Sequence, residues 1–570
     1  MNFAGNFKIQ LPLLMLFLGI YSKGFCQDTY LPINTFTNYH IDRLDIAGKT
    51  NGFITSVKPI SRAQVNVLNR LDSDSVLYKN SIQYFKTELF EYPLYDTMQE
   101  KLISNLVLPT PWRSFKKSLY ASPAALYSKK IRDFTLMINP ILVISGGKDF
   151  SSENSTYQNT RGAEIRGMID NTVGFYSSIT ENQFRFPDYY TQIIDSTGVI
   201  PGEGFHKGFG GAASDFFQAK GYFTFSPSKH IIAQFGHDRN FIGNGYRSLI
   251  LSNYSKEYLF LKFNTRIWRF NYQNLFTQLT DFSSQSATGR GIKPKYFVNH
   301  YLGVKLFNAL DLGVFESVIY DRGDINQPGN FDINYLNPII FYRAIEHNLN
   351  SSDNVIIGLD WKWNIKKRIS FYGQFVLDEF VKNELINRTG WWANKYGVQT
   401  GLKYINAFTI AGLDLQLEYN LLRPYTYTHF KLSQNYVNYN QALAHPLGAN
   451  FKEIIAIARY QPFYSLFIEA GIIQAIKGLD SSSQTKHFGG NILTTYENRP
   501  YENGHTIGQG VKTVYSILFF NASYMMYHNM WIDARINVRT AKSDLTTHSS
   551  NSSWIQLGLR MNLSMRNYDF

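Results

Sequence analysis

Strict alternation of apolar and polar side chains over long segments constrains this fold most, because successive side chains of a β-strand point to opposite faces. In residues 409–420, leucines and other apolar residues share one face, and carboxylates and amides share the other. The alternation begins at about residue 132 and returns clearly in residues 530–539 and 555–566. One face suits lipid and the other suits water, although a soluble β-sandwich would show the same pattern.

The connections between these segments distinguish a barrel from a sandwich. Tight turns are predicted near residues 170–171, 226–228, 265, 308–310, 366–367, 406–407, 461–462 and 528–529. Long polar loops are predicted at 146–161, 181–212, 238–257, 281–294, 321–352, 382–393, 422–449, 477–509 and 541–552. Alternation of short periplasmic turns with long external loops is typical of a transmembrane β-barrel, here with about 18 antiparallel strands.

The composition agrees with an outer-membrane barrel. The aromatic content of 16% is high for a soluble domain, while the mean hydropathy of -0.24 is too polar for a bundle of membrane-spanning helices. Even the most apolar window, residues 454–473, is interrupted by charged residues and a proline, so no spanning helix is expected. The net charge of +13 is scattered, which favours anionic lipid headgroups or acidic glycans as partners and disfavours nucleic acid.

The first 129 residues differ from the rest. Residues 1–26 resemble a signal peptide, with Lys8 before an apolar run and small residues before Gln27. A lipoprotein cysteine at Cys26 is the alternative, which Phe25 disfavours. Cleavage removes the single cysteine, so the mature chain cannot depend on disulfides. Residues 27–129 are predicted to be a small, partly helical periplasmic region, and residues 130–570 the outer-membrane barrel.

Apolar residues at helical spacing indicate the helices of the N-terminal region. One set follows Ser61 and a second set lies twenty residues later; they are Val65, Leu68 and Leu71, and Ile82, Phe85 and Leu89. At the other end, Phe570 and Tyr568 resemble the terminal aromatic signal read by the outer-membrane assembly machinery. The last strand is therefore predicted to continue past Met565 through a bulge.

Two blocks carry a resemblance to a known family. They are residues 236–255 (GHDRNFIGNGYRSLILSNYS) and residues 335–347 (YLNPIIFYRAIEH). The chain resembles the capsule-assembly Wzi family, and more closely the branch that includes the gliding-motility protein RemB. The resemblance implies an outer-membrane barrel with a periplasmic helical part. It also implies binding of surface polysaccharide in the capsule members and a role in surface motility in the RemB-like members.

The first block holds one group of candidate site residues. Asp238, Arg239, Tyr246 and Arg247 combine carboxylate, guanidinium and aromatic groups, which is chemistry that grips sugars. Their alternative role is an ion pair that pins the loop inside the barrel mouth. Asn244 lies between two glycines, which predicts a close backbone approach or a positive φ.

A second group lies on two neighbouring segments. Asn354, Asp360, Gln374 and Asp378 share the lumen-facing phase around the predicted turn at 366–367. Such groups could hold sugar hydroxyls or a cation, or they could solvate the lumen and lock a plug loop. Arg343 and Glu346 could pair with each other or with this group.

The last two predicted strands are basic on their inner face. Their arginines would favour acidic polymers, with a barrel-lining role as the alternative; these residues are Arg535, Arg539, Arg560 and Arg566.

The sequence predicts no enzyme, cofactor or metal site. The 12 histidines show no paired metal-ligand spacing. A surface hydrolase using Ser248 or Ser252 with His237 remains the alternative, without a residue that orients the base.

Three functions remain open after the sequence. The first is a non-catalytic surface protein that binds exopolysaccharide or attaches surface components in gliding, adhesion or capsule retention. The second is a subunit of an outer-membrane secretion or motility assembly, and the third is a solute channel. A binding barrel should have a lumen closed by inward loops, a channel should keep open water along its axis, and a subunit should show an apolar patch beyond the lipid belt.

Overall fold

A computed structural model describes residues 29–50, 53–66, 76–88, 119–122, 124–152, 154–170, 172–282, 292–323, 329–338, 353–480, 486–567 and 569. The predicted signal peptide and the pair Arg343 and Glu346 lie outside these residues. No helix in the described part of the chain is long and apolar enough to cross a membrane.

The described residues form a closed barrel of 18 antiparallel strands, as the sequence predicts. The strands are β1 (Phe134–Asp149), β2 (Ser155–Ile169), β3 (Val173–Arg185), β4 (Ala213–Ser228), β5 (Ile231–Asp238), β6 (Tyr258–Ile267), β7 (Phe270–Asp281), β8 (Lys293–Phe307), β9 (Leu310–Tyr320), β10 (Asn354–Ile365), β11 (Ile369–Glu379), β12 (Lys395–Tyr404), β13 (Leu413–Leu422), β14 (Phe451–Phe463), β15 (Leu466–Leu479), β16 (Val511–Tyr527), β17 (Met530–Ser543) and β18 (Ser550–Met561). Each strand pairs with the next, and β18 pairs with β1 to close the barrel.

Shorter elements decorate this barrel. The helices are α1 (Phe36–Ile46), α2 (Arg62–Asn66), α3 (Lys79–Glu88), α4 (Asp188–Thr197) and α5 (Lys382–Ile386). Short strand pieces are Val57–Lys58, Tyr127–Ile131, Lys207–Phe209, Phe241–Ile242, Val437–Asn438 and Gln441–Ala442. Single 3-10 turns are Val76–Tyr78, Ile333–Leu336, Ala407–Thr409, Leu432–Gln434 and Thr546–His548.

The two faces of the strands separate as the alternation predicts. On β13, Leu417 is 51% exposed on the outside, whereas Glu418 beside it is fully buried in the lumen. On β17, Ile532 and Ile536 face outward and Asp533 faces inward. The outer face is therefore apolar and the inner face polar, as a membrane-spanning barrel requires.

Short and long connections lie at opposite ends of the barrel. The short turns are residues 170–172, 229–230, 268–269, 308–309, 366–368, 405–412, 464–465 and 528–529. They match the predicted turns to within about three residues. Two predicted long loops are wrong, because β1, β2, β17 and β18 extend into them and leave connections of only 150–154 and 544–549. We call the two ends the short-turn end and the long-loop end.

The predicted course of the last strand is also wrong. β18 ends at Met561, and Asn562 adopts a positive φ of 54° where the chain turns inward. The edge of β1 that would pair with a longer β18 is already paired, because Phe134–Ile138 bonds to Tyr127–Ile131. Residues 562–567 and 569, which we call the C-terminal tail, therefore enter the lumen; Tyr568 and Phe570 lie outside the described residues.

The described N-terminal residues 29–50, 53–66 and 76–88, which we call the N-terminal segment, carry α1, α2 and α3. This segment lies within the short-turn end of the lumen. The guanidinium Nε of Arg43 on α1 lies 3.2 Å from Asp414 Oδ2 on β13. The Lys362 ammonium on β10 lies 2.6 Å from Asp45 Oδ2, and the Phe36 ring stacks 4.0 Å from the Phe467 ring on β15. These contacts hold the N-terminal segment against the inner wall. The predicted helical spacing of Ile82 and Phe85 is confirmed by α3, whereas Leu89 lies outside the described residues. The periplasmic location of the N-terminal segment stays a prediction.

Replacement of Arg43 by Met should weaken the barrel strongly, because it leaves the Asp414 carboxylate buried without its cationic partner. Both side chains are almost fully buried, and breaking such a pair costs about 3–5 kcal/mol. Urea unfolding of the protein in lipid vesicles measures the free energy of unfolding. The matched control is Arg161→Met, which removes an exposed ion pair with Glu181 and should leave stability unchanged. Equal stabilities of the two variants would contradict the anchoring role of Arg43.

Candidate functional site

Residues 239–257, which we call the inner loop, fold from the long-loop end into the lumen. The piece Phe241–Ile242 pairs antiparallel with Val57–Lys58 of the N-terminal segment. The Gly243 amide donates to the Ser56 carbonyl oxygen at 2.8 Å. Two segments that are far apart in sequence thus meet as a small sheet inside the barrel.

A single wall carboxylate fixes the tip of the inner loop. Glu418 on β13 accepts hydrogen bonds from the Tyr246 amide at 2.6 Å and from the Arg247 amide at 3.0 Å. The Tyr372 hydroxyl on β11 donates to the same carboxylate at 2.8 Å. Hydrogen bonds to an ionised acceptor are stronger than neutral ones, so Glu418 is a main anchor of the inner loop.

The two glycines around Asn244 allow this close approach. A Cβ at Gly245 would lie 2.6 Å from Glu418 Oε2, and a Cβ at Gly243 would lie 2.7 Å from Gln374 Nε2. Gly243 also has a φ of 151°, a conformation that other residues rarely adopt. The predicted structural role of these glycines is confirmed.

Two of the predicted site residues on β10 and β11 bind the inner loop. Asp360 lies opposite Gln374 in the register of the two strands. The Asn244 side-chain Nδ2 donates to Asp360 Oδ2 at 3.3 Å. Gln374 Oε1 accepts from the Leu249 amide at 2.7 Å, and its Nε2 donates to the Ile242 carbonyl at 3.1 Å.

The arginines of the inner loop form buried ion pairs. Arg239 lies 2.6 Å from Glu257 Oε1 and 3.8 Å from Glu203 Oε2. Burial alone would raise the pKa of Glu257, but the Arg239 guanidinium lowers it to about 2. Asp238 accepts from the Arg239 amide at 2.8 Å. These charges are thus used to hold the inner loop.

Arg247 connects the inner loop to the wall and to the C-terminal tail. Its guanidinium lies 3.6 Å from Glu453 on β14 and 3.3 Å from the Asp569 carboxylate. The Tyr246 hydroxyl donates to the same Asp569 carboxylate. The tail therefore places one of the chain's own carboxylates between the arginine and the tyrosine that the sequence singled out.

Asn354 and Asp378 hold a second loop, residues 423–450. The Asn354 side chain donates to the Gln434 carbonyl at 2.9 Å. Asp378 Oδ2 accepts from the Tyr427 amide at 2.8 Å. The sequence left two roles open for Asn354, Asp360, Gln374 and Asp378: binding a ligand, or locking a loop in the lumen. All four side chains bind a loop, which is the second role.

The predicted basic strip on the last strands is also engaged inside the protein. Arg560 pairs with Asp533 at 2.7 Å and donates to the Leu563 carbonyl. Arg535 donates to the carbonyl of Arg566, which lies on the C-terminal tail and not on β18. Arg539 lies over the rings of Tyr189 and Tyr515.

The serines considered for catalysis have structural partners. The Ser248 hydroxyl donates to the Ile242 carbonyl, and the Ser252 hydroxyl donates to the Ala444 carbonyl. The hydrogen-bond partner of His237 is the Ala219 carbonyl. In the part of the chain that the structure describes, no cluster of three or more His, Cys, Asp or Glu side chains is arranged to hold a metal ion.

A cavity of about 470 Å³ remains between the N-terminal segment, the inner loop and the C-terminal tail. Eleven Lys and Arg residues and seven Asp and Glu residues line it, together with several tyrosines. Among the described residues, the inner loop and residues 423–450 pack together across the lumen, where Leu249 and Leu251 share one apolar core with Tyr427 and with the strands.

The sequence did not predict an aromatic cluster at the long-loop end. We call this cluster, formed by residues 380–394 and 486–510, the loop cap. Residues 380–394 and 486–510 are joined by backbone hydrogen bonds, including Trp392 amide to Glu502 carbonyl at 3.0 Å. The Trp392 and Tyr496 rings lie 4.6 Å apart, and the Arg499 guanidinium lies 4.2 Å from the Trp392 ring. The alternation within a strand does not indicate which distant loops contact each other. The high aromatic content was the one sequence signal consistent with such a cluster.

These features define a closed outer-membrane-type β-barrel whose lumen is filled by its own segments. Among solved structures, it is similar to Wzi of Escherichia coli, with a TM-score of 0.52 and 11% identity over 95% of this chain and 100% of that chain. Wzi is described as an outer-membrane, carbohydrate-binding β-barrel involved in group 1 capsule assembly. At this identity the similarity establishes the fold alone.

More distant similarity extends to two further outer-membrane proteins. OccAB2 of Acinetobacter baumannii has a TM-score of 0.42 and 9% identity, over 75% of this chain and 97% of that one. OprD of Pseudomonas aeruginosa has a TM-score of 0.41 and 10% identity, over 77% and 95%. No family model and no curated protein matches the sequence.

Replacement of Gly245 by Ala should displace the inner loop, because the added Cβ overlaps Glu418, Gln399 and the Arg247 carbonyl. Limited proteolysis of the folded protein in vesicles should then cut within residues 239–257, where the unmodified protein resists. The matched control is Gly208→Ala, whose Cβ meets no atom within 4 Å and should leave the pattern unchanged. Protection of the inner loop in both variants would contradict the proposed anchor.

Proposed function

We propose that this protein is a non-catalytic barrel of the cell surface that binds acidic exopolysaccharide and retains it in capsule assembly or gliding motility. In this proposal the short-turn end and the N-terminal segment face the periplasm, and the long loops face outside. The loop cap is then the glycan-binding surface. The observation that carries the proposal is a lumen filled by the barrel's own segments beneath an aromatic, partly cationic cap.

The filled lumen favours binding over solute conduction. A barrel of about 18 strands is wide enough to leave an aqueous channel if nothing occupies it. Here the inner loop is fixed on one side by Glu418 and on the other by Val57–Lys58. Movement of the inner loop out of the lumen would leave these buried polar groups without partners, at a cost of about 1–3 kcal/mol for each one.

The loop cap has the chemistry of a glycan site. The Trp392 and Tyr496 rings are neighbours, and Tyr501, which contacts the His505 ring in the same cap, is 42% exposed. The Arg499 guanidinium lies over the Trp392 ring. The Lys395 ammonium lies 4.7 Å from the Tyr496 ring but is fully buried against two carboxylates. Burial next to Lys395 lowers the pKa of His429 to about 4, so this neighbouring ring is neutral at physiological pH. Exposed aromatic rings next to an arginine suit sugars that carry carboxylates.

The similarity to Wzi supports this reading of the fold, since Wzi is described as binding carbohydrate. The sequence blocks at 236–255 and 335–347 support placement near the RemB-like branch. For that branch the glycan would serve adhesion during surface movement.

A second candidate is a subunit of an outer-membrane secretion or motility assembly. α5 and the residues before it expose an apolar patch at the long-loop end, where Ile386 is 65% exposed and Phe380 is 46% exposed. Such a patch suits contact with another protein. Pull-down of a defined partner that is lost in Ile386→Asp would favour this function.

Conductance in a planar bilayer tests the leading proposal. The purified barrel should be silent or open rarely, because its lumen is filled, and labelled acidic polysaccharide from the source cells should bind to it. Steady large openings that the polysaccharide does not affect would contradict the proposal and favour a channel.

The variant Trp392→Ala sharpens this test at the loop cap. Loss of the Trp392 ring should weaken polysaccharide binding about tenfold, within the energies of aromatic contacts and desolvation. Trp268→Ala is the matched control, because Trp268 is 82% exposed at the short-turn end, away from the cap. Equal binding by both variants would remove the cap as the glycan site.

A further inference from the structure

The lumen cavity contains a buried cation that has no ion-pair partner among the described residues. Lys58 is only 8% exposed and lines the cavity. Within the described residues, its ammonium makes no hydrogen bond or ion pair, and its contact is the Phe241 ring, 5.1 Å away. Buried ammonium groups normally have a carboxylate or several acceptors close by, so this arrangement lacks an anion.

The Asp42 carboxylate does not supply that anion. Asp42 influences Lys58 but is paired with the Lys403 ammonium at 2.8 Å. Burial lowers the pKa of Lys58, and Asp42 opposes this shift only in part. Asp42 is therefore engaged by the Lys403 ammonium, and among the described residues Lys58 has no ion pair of its own.

A second position in the same cavity already holds a carboxylate. Asp569 of the C-terminal tail is 6% exposed and lies against Arg247 and the Tyr246 hydroxyl. The Arg247 guanidinium also donates to the Asp569 carbonyl oxygen at 2.6 Å. An arginine and a phenol hydroxyl around one carboxylate form a built recognition site, and here the tail occupies it.

We infer that the lumen cavity is a binding site for a small carboxylate-bearing ligand, of the class of an acidic mono- or disaccharide. Lys58 would receive one carboxylate, and Arg247 with Tyr246 would receive a second if the ligand displaces Asp569. The volume of about 470 Å³ lies in the range of small-molecule sites, about 300–1,000 Å³. Tyrosines that line the cavity provide partners for hydroxyl groups. This site is separate from the loop cap and does not depend on polysaccharide binding there.

The test uses the full folded protein in detergent and digalacturonate as the probe, with binding measured by calorimetry. Digalacturonate should bind, and neutral digalactose should not. Lys58→Met should weaken binding at least tenfold, whereas Lys58→Arg should retain most of it. The matched control is Lys129→Met, on the exposed strand Tyr127–Ile131, which should bind as the unmodified protein does.

If Lys58→Met does not fold, the affinity of a second variant, Asp569→Asn, for digalacturonate still tests the inference. Asp569→Asn removes the competing carboxylate and should strengthen digalacturonate binding several-fold. No binding by the unmodified protein and by Asp569→Asn would overturn the inference, as would equal binding by Lys58→Met and Lys129→Met. Inorganic phosphate binding as tightly as digalacturonate would overturn the carboxylate class. Polysaccharide binding by Trp392→Ala reports on the loop cap alone, so the two proposals fail separately.

Discussion

The structure depends on satisfying the polar inner face of a wide barrel. Strand alternation that gives lipid an apolar surface also directs a row of carboxylates, amides and cations into the lumen, where Asp414, Gln416 and Glu418 follow one another on β13. Desolvated groups of this kind are stable only with partners. The N-terminal segment, the inner loop and the C-terminal tail provide those partners.

Glu418 shows how these segments depend on one another. It holds two consecutive amides of the inner loop, and the side chain of the second, Arg247, then reaches Glu453 and the tail carboxylate of Asp569. The same loop pairs through Phe241–Ile242 with the N-terminal segment, which Arg43 fixes to β13. Loosening one segment would therefore uncover charges that belong to the other two. The filled lumen behaves as one network.

Much of the barrel follows from the sequence, because strand period and turn chemistry are local. The alternation in 409–420 and the turn at Lys366–Lys367 lie where the pattern predicts. The position of the C-terminal tail was not predicted correctly from the sequence. The tail is excluded from the barrel wall because Tyr127–Ile131 pairs with β1, and no sequence motif marks that pairing. The candidate site was likewise predicted only in part. Phase along the strands identifies Asp360 and Gln374 as lumen-facing, but only the tertiary structure shows that they bind the inner loop, and the loop cap depends on contacts between distant loops.

The most direct test of the account is a disulfide between the N-terminal segment and the inner loop. Val57 and Ile242 are Cα partners in an antiparallel pair, at a spacing of about 4.5–5.5 Å that permits the bond. In a chain with Cys26→Ser, the pair Val57→Cys and Ile242→Cys should cross-link on mild oxidation of the folded barrel. The control pair Val57→Cys and Leu417→Cys should not, because Leu417 faces outward. A folded barrel in which the first pair stays reduced would contradict the meeting of the two segments within the lumen.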